Sequence, residues 1–379
     1  MRRILILTSS VVFFDTLFYV ALTPLLPHYV HELGLGKAGA GILTASYPTG
    51  ALIGAIPSGW VAARVGVKRT TVTGLTIVAI CTVLFGFGTT EWQLDLARLC
   101  QGLASSFTWT GALAWLVAAT PAERRGAMIG QAFATAIAGA LFGPVLGGIA
   151  SVAGTRWTFG TVGVASLGLI AAAVTTPAER PEQPQGLGAL ARAVTDRRVL
   201  AGCWYVILPS LLFGVVSVLG PLRLSALGFG ALAIGGTWLA SAALEATNNV
   251  ILGRVADRWG TMWPIRIGLA ASVGCAVILP WPDVGVLLAA VIVVSEVSFG
   301  TLFTPSMTLL THLSEERGLD YGYTFALVSV AWAPGQTIGA AGGAALAHAT
   351  ADAVPYLLLA GVCAVTFAVV SRGAVRLRA

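Results

Sequence analysis

Long apolar stretches separated by short polar breaks organise the whole chain. Twelve such runs can be marked, at residues 4–30, 40–62, 70–88, 94–119, 128–152, 157–175, 199–224, 231–255, 263–281, 284–313, 323–349 and 354–370. About 20 apolar residues in helical form cross a bilayer. A barrel strand would need only about 10, alternating in polarity, whereas these runs are longer and rich in glycine. The pattern predicts an all-α membrane protein with twelve transmembrane helices. The first run follows Arg2 and Arg3, as a signal peptide would. It is too long for one and contains Asp15, Pro24 and Pro27, so a retained helix is expected.

Composition agrees with a membrane-embedded chain. It is 56% hydrophobic and 10% charged, with a mean hydropathy of +0.85, whereas soluble domains carry about 25% charged residues. The net charge of +6 could suggest nucleic acid, but its placement points elsewhere. Of the 22 Lys and Arg residues, setting aside Lys37, Arg156, Arg223 and Arg98 leaves 18 at the termini and the even-to-odd connections. Arg98 reads as the only basic residue inside a span. Such a bias marks the cytoplasmic face, so both termini are expected there, in a multi-pass protein of the cell membrane. The five cysteines fall inside predicted helices without a CxxC partner and read as packing residues. No Walker A sequence, nucleophile elbow or metal-ligand spacing occurs, and His28, His31, His312 and His348 are scattered near helix ends. No enzyme, cofactor, metal or nucleic-acid partner is therefore expected.

One phrase occurs twice. Residues 59–66 (Gly-Trp-Val-Ala-Ala-Arg-Val-Gly) match residues 253–260 (Gly-Arg-Val-Ala-Asp-Arg-Trp-Gly) at five of eight positions, 194 residues apart. Ala122-Glu123-Arg124-Arg125-Gly126 and Ser314-Glu315-Glu316-Arg317-Gly318 form a second pair, and Gly147-Gly148 and Gly342-Gly343 a third. Two parallel six-helix bundles, residues 1–175 and 199–379, are predicted. The polar, proline-bearing stretch 176–198 would join them as a cytoplasmic linker. The part from Leu187 to Arg198 could form a short amphipathic helix on the membrane surface.

With these motifs the chain resembles the major facilitator superfamily of transporters over nearly its whole length. The family's loop between helices two and three reads Gly-x-Leu-Ala-Asp-Arg-x-Gly-Arg-Lys. Gly59, Ala62, Arg64, Gly66 and Lys68 match it, Ala63 replaces the acid, and the second copy keeps Asp257. Arg98, Gln101 and Gly102 match the fourth-helix motif. Gly139, Gly143, Pro144, Gly147 and Gly148 complete the fifth-helix signature of the drug–proton antiporter branch. Asp15, followed by Pro24 and Pro27, is similar to the vesicular amine and multidrug-resistance members. Gly300 and Ser329 stand where the amine transporters carry acids. The resemblance implies alternating access by a monomer.

Charged groups in mid-membrane are the informative residues, because a carboxylate there costs about 3 kcal/mol on insertion scales. Asp15, Glu245 and Glu296 are the candidates for proton coupling, since a buried carboxyl group can take up and release a proton near neutral pH. Arg98 needs a carboxylate or carbonyl partner, and Asp15 and Asp95 are both within range of the pattern. Gly139, Gly143, Pro144, Gly147 and Gly148 read as hinge and packing residues. In the resembled family Arg64, Lys68, Arg69, Asp257 and Arg258 would form the cytoplasmic gating latch, weakened here by Ala63. Tyr19, Tyr47, Trp109, Gln131, Asn248, Asn249 and Trp332 could line a cavity for an amphipathic ligand. The leading expectation is proton-coupled efflux of small amphipathic or drug-like molecules. An importer or facilitator of a polar metabolite stands as the alternative, and a non-transporting scaffold or receptor comes third.

Overall fold

The computed structural model describes residues 2–121, 124–177, 187–319 and 321–376. All regular structure among them is helical. α1 (Arg2–Val20) leads through a 3-10 turn (Thr23–Leu25) into α2 (Leu26–Leu33). α3 (Lys37–Val65), α4 (Val67–Phe87), α5 (Glu91–Ala118), α6 (Arg125–Ala153) and α7 (Thr155–Thr175) follow. After a short helix, α8 (Leu187–Ala193), come α9 (Arg197–Ala226), α10 (Ala231–Trp259), α11 (Met262–Ile278) and α12 (Gly285–Glu316). α13 (Tyr321–Thr337) passes through a π turn (Ile338–Gly342) into α14 (Gly343–Ala349), and α15 (Ala353–Arg376) closes the chain.

Among the described residues, eight helical segments are long and apolar enough by themselves to cross a membrane. The other expected spans map onto helices that are shorter, broken or more polar. α5 carries Glu91, Asp95 and Arg98, α10 carries Glu245, Asn248 and Asn249, α11 has 17 residues, and the α13–α14 rod is interrupted by the π turn. Large apolar side chains such as Trp157 (79% exposed) and Val152 (75%) cover the outer surface, which fits a surface that meets lipid.

The repeated phrase has a local physical cause. Each copy ends in a glycine at positive φ, Gly66 at 100° and Gly260 at 82°. Side-chain-bearing residues rarely adopt that conformation, so glycine reverses the chain between α3 and α4, and again between α10 and α11.

Helix pairing repeats too. α3 on α5, α1 on α6, α4 on α5 and α4 on α7 in the first half correspond to α10 on α12, α9 on α13, α11 on α12 and α11 on α15 in the second. The closest approach is α3 against α5. A Cβ on Gly102 would lie 1.8 Å from the Tyr47 carbonyl oxygen, and one on Gly50 1.9 Å from that of Leu99. α3 meets α13, and α6 meets α10, across the halves.

Three expectations change. The first run is not one helix: Pro24 lacks an amide hydrogen and the chain turns there. Arg98 is not alone inside a helix, because Arg266 lies within α11 with its Nε buried and unpartnered, and Arg223, Arg254 and Arg258 lie within α9 and α10. Of the linker, residues 178–186 lie outside the described residues, as do Ala122 and Glu123 of the second repeat. Its tail folds as α8, shorter than the stretch to Arg198, and buries Leu190 and Ala193 among Val199, Leu310 and Tyr323.

Candidate functional site

A cavity of about 260 Å³ lies where the halves meet. Thr16, Tyr19 and Arg98 of the first half face Phe213, Trp238, Glu245, Glu296, Phe303, Trp332 and Gln336 of the second. Among the described residues, two side-chain hydrogen bonds join α1 and α3 of the first half to α13 of the second. Gln336 Nε2 donates to the Tyr19 hydroxyl at 2.6 Å, and the hydroxyls of Thr49 and Thr337 are 3.3 Å apart.

Asp15 is 3% exposed and sits beside the cavity rather than in its wall. Four donors converge on its carboxylate. Ser105 Oγ at 2.6 Å, Trp109 Nε1 at 2.8 Å and the Tyr47 hydroxyl at 3.0 Å reach Oδ2, and Thr108 Oγ1 at 3.0 Å reaches Oδ1. Ser105, Thr108 and Trp109 lie within about one turn of α5 and so share a face. A buried carboxylate without a cation needs such donors to replace water.

Arg98, 2% exposed, was expected to pair with Asp15 or Asp95. Among the described residues it pairs with neither. Its Nη1 donates to the Phe18 carbonyl at 3.1 Å and to Gln101 Oε1 at 3.3 Å, and its Nη2 to the Tyr19 carbonyl at 3.0 Å. Both carbonyls belong to the last turn of α1, where helical partners run out and the dipole is negative. The guanidinium carbon also lies 4.8 Å from the Tyr47 ring centroid. Asp95 Oδ1 is left buried without a partner.

Glu296 is 9% exposed and Glu245 is partly buried. Both face the cavity, and among the described residues neither makes a side-chain hydrogen bond or ion pair. Of the seven expected cavity residues, Tyr19 and Trp332 line it. Tyr47 and Trp109 instead serve Asp15. Asn248 is committed to Thr301 Oγ1 at 2.7 Å, Asn249 Oδ1 is buried without a partner, and Gln131 is exposed on α6 away from the lining. Thr16, Phe213, Trp238, Phe303 and Gln336 were missed. Of these, only Gln336 carried a usable signal: an amide in mid-span beside Pro334 and Gly335.

The fifth-helix glycines face α1 and α10. A Cβ on Gly139, Gly143 or Gly147 would lie 2.4, 2.9 or 2.1 Å from the carbonyl oxygen of Phe13, Leu17 or Ala21, and one on Gly148 would lie 3.0 Å from Leu232. Pro144, inside α6, places its carbonyl 2.8 Å from a Cβ built on Gly235. At the end carrying the termini, Arg64 lies over the exposed Trp60 ring at 4.5 Å. No ion pair of Arg64, Lys68, Arg69 or Arg258 occurs among the described residues, and the side chain of Asp257 lies outside them. Gly59 meets Tyr323 at that end, and Phe325 packs among Leu113 and Leu116. At the opposite end Lys37 Nζ and Asp352 Oδ1 join the halves at 2.5 Å.

Comparison with known proteins agrees with this architecture. The Major Facilitator Superfamily model matches residues 8–335. The Staphyloferrin B transporter of Staphylococcus aureus is 25% identical over 91% of this chain and 86% of its own length. The MFS-type transporter ppzB of Metarhizium majus is 30% identical over 36% of the chain, and the match spans only 31% of that protein. The quinolone resistance protein NorA of S. aureus is 26% identical over 39% of the chain and 38% of its own length. Among solved structures, a bacterial homologue of the lysosomal transporter Spinster, inward-facing and unoccupied, superposes with a TM-score of 0.78 at 14% identity. It covers 97% of this chain and 96% of that one. The nucleoside transporter NupG gives 0.76 at 16%, covering 97% and 99%. At those identities the likeness speaks to fold alone. The helical architecture, the cavity between the halves and a family match over most of the chain lead to one conclusion: the chain belongs to the Major Facilitator Superfamily and is a multi-pass membrane protein.

Proposed function

We propose that the protein exports small amphipathic molecules in exchange for protons, by alternating access. In this reading it works as a monomer with twelve crossings of the cell membrane and both termini cytoplasmic. Residues 1–175 and 199–379 rock about the cavity, and 176–198 connects them. The drug–proton antiporter branch is the family subset this reading favours, and the partial likeness to a quinolone resistance protein supports it.

The observation that carries it is the placement of Asp15. Its ionised form accepts from four donors. A proton on the carboxyl group converts one acceptor site into a donor and removes the charge that holds the remaining donors. Tyr47 is the donor whose movement reaches the cavity. Its ring lies against Arg98 and stacks 4.8 Å from Tyr19, which lines the cavity and is held by Gln336 of the other half. Proton uptake and the fit between the halves are then linked through one residue. Glu245 and Glu296 supply negative charge on the opposite wall, beside aromatic rings that suit an amphipathic ligand with a cationic group. The basic residues 64, 68, 69 and 258, with Asp257, are assigned to the gate at the cytoplasmic end.

The test uses purified protein in proteoliposomes, with ethidium as the probe and an imposed pH gradient. Gradient-driven ethidium movement that collapses with an ionophore and in Asp15→Asn supports exchange. Movement indifferent to the gradient sinks it and favours the second reading, a facilitator or importer of a polar metabolite. That reading draws on the hydroxyl and amide groups of Thr16, Thr23, Thr44, Ser217 and Gln336 in the cavity wall.

A further inference from the structure

Glu245 and Glu296 come from different helices, and their relative placement depends on a residue with no side chain. A Cβ built on Gly300 of α12 would lie 2.5 Å from Glu245 Oε1, 2.7 Å from Cδ and 2.9 Å from Cγ. The end of the Glu245 side chain therefore occupies the volume that any other residue at 300 would fill. Glu296 lies one turn earlier on α12, on the same face. The register between α10 and α12 is held close by, where Asn248 Nδ2 donates to Oγ1 of Thr301, the residue after Gly300, at 2.7 Å. That bond brings Glu245, three residues before Asn248, opposite Gly300.

We propose that Gly300 is a positioning residue that seats the Glu245 carboxylate on α12 beside Glu296, so that the two glutamates act as one carboxyl pair. The proposal rests on the transport reading only for what the pair is used for. Within electrostatic reach of Glu296 are Tyr19 of α1 and Tyr356 of α15, with Arg98 in the cavity wall. Arg98 is occupied by the α1 carbonyls, so no cation among the described residues contacts the pair. Two carboxylates at close range in a medium of low dielectric cannot both stay ionised. The pair therefore takes up one positive charge, a proton or a cationic group, as a unit.

The test needs no knowledge of the substrate. The carboxyl C=O infrared band of purified protein is titrated with pH, and the Glu296 component is identified by its loss in Glu296→Gln. If the pair is coupled, Glu245→Gln moves the midpoint of that component by about one pH unit or more. Gly300→Ala moves it as well while retaining both acids. The melting temperature of Gly300→Ala stays at the wild-type value, because the atoms displaced belong to the free end of a side chain. Glu245→Asp in the Gly300→Ala background, one methylene shorter, restores the wild-type midpoint. An unmoved Glu296 band in Glu245→Gln overturns the pairing, and that arm does not depend on Gly300→Ala folding. Absence of rescue by Glu245→Asp overturns the role of Gly300. Binding of tetraphenylphosphonium, followed with proton release on the same variants, separates a cationic group from a proton as the charge taken up. Failure of gradient-driven transport with the coupling intact would count against the export reading alone.

Discussion

Lys37 at the start of α3 and Asp352 just before α15 form an ion pair of 2.5 Å across 315 residues of sequence, and it ties the two halves together at the end opposite the termini. Gly41 of α3 reinforces the closure, since a Cβ there would lie 2.6 Å from that of Ala344. The pair is partly exposed, with side chains 40% and 27% accessible, so its effect on overall stability is expected to stay under about 1 kcal/mol. Its effect on access is expected to be larger, because the partners belong to different halves and must separate for that end to open. Lys37→Ala or Asp352→Ala should raise the open fraction in a spin-label distance measurement between α3 and α14. The exchange Lys37→Asp with Asp352→Lys should return it. An unchanged distance distribution in both single variants would remove the pair from the gate.

Asp15→Asn should cost about 1–3 kcal/mol of stability, because an amide presents its own donors to four groups that are themselves donating. It should also abolish gradient-driven ethidium movement. Tyr47→Phe leaves three donors in place and should cost nearer 1 kcal/mol, while weakening coupling because the ring that packs on Arg98 and Tyr19 no longer bonds Asp15. Melting temperature and proteoliposome transport report the two effects separately. A fully coupled Tyr47→Phe would show that the link to the cavity runs elsewhere.

Gly102→Ala should be among the most damaging small substitutions in the chain. Its Cβ would meet the backbone oxygen of Tyr47, which cannot swing aside, so α3 and α5 must part. Overpacking of this kind costs about 1–3 kcal/mol or more. Gly168→Ala on α7, with nothing within 4 Å of the new atom, is the control and should be neutral. Equal melting temperatures for the two variants would contradict the close approach.

Ala63→Asp should place a carboxylate at the end carrying the termini, where Arg64 now covers the Trp60 ring at 4.5 Å. If the repeated loops act as a latch, the variant populates the state closed at the termini end more than wild type does. A distance measurement across that end decides it, and an unaltered ratio removes the latch from the account.

Much of this protein was legible in the order of its residues, and for local reasons. Apolar runs, glycine turns and the cost of a charge in lipid all act over a few residues, so the helices and the three exceptional acids could be read directly. Arg98 shows where local reading ends. Its partners depend on Pro24 breaking the first run, which leaves the Phe18 and Tyr19 carbonyls at a helix end, and on α5 docking there. No pattern around Arg98 encodes that. Tyr47 and Trp109 looked like cavity walls because aromatic residues in a span usually face either lipid or ligand. Their polar ends turned out to belong to Asp15, 32 and 94 residues away in sequence.

The sequence by itself determined that the chain lives in a membrane, that it is helical, and that its halves repeat, because hydrophobic run length and helix-ending glycines are properties of contiguous segments. Only the tertiary structure decided which buried charge meets which partner. Asp15 with four hydroxyl and indole donors, Arg98 with carbonyls, and Glu245 seated on Gly300 beside Glu296 are all pairings between helices. They depend on the depth and rotation at which each helix packs, and those are set by close glycine contacts summed over the whole bundle.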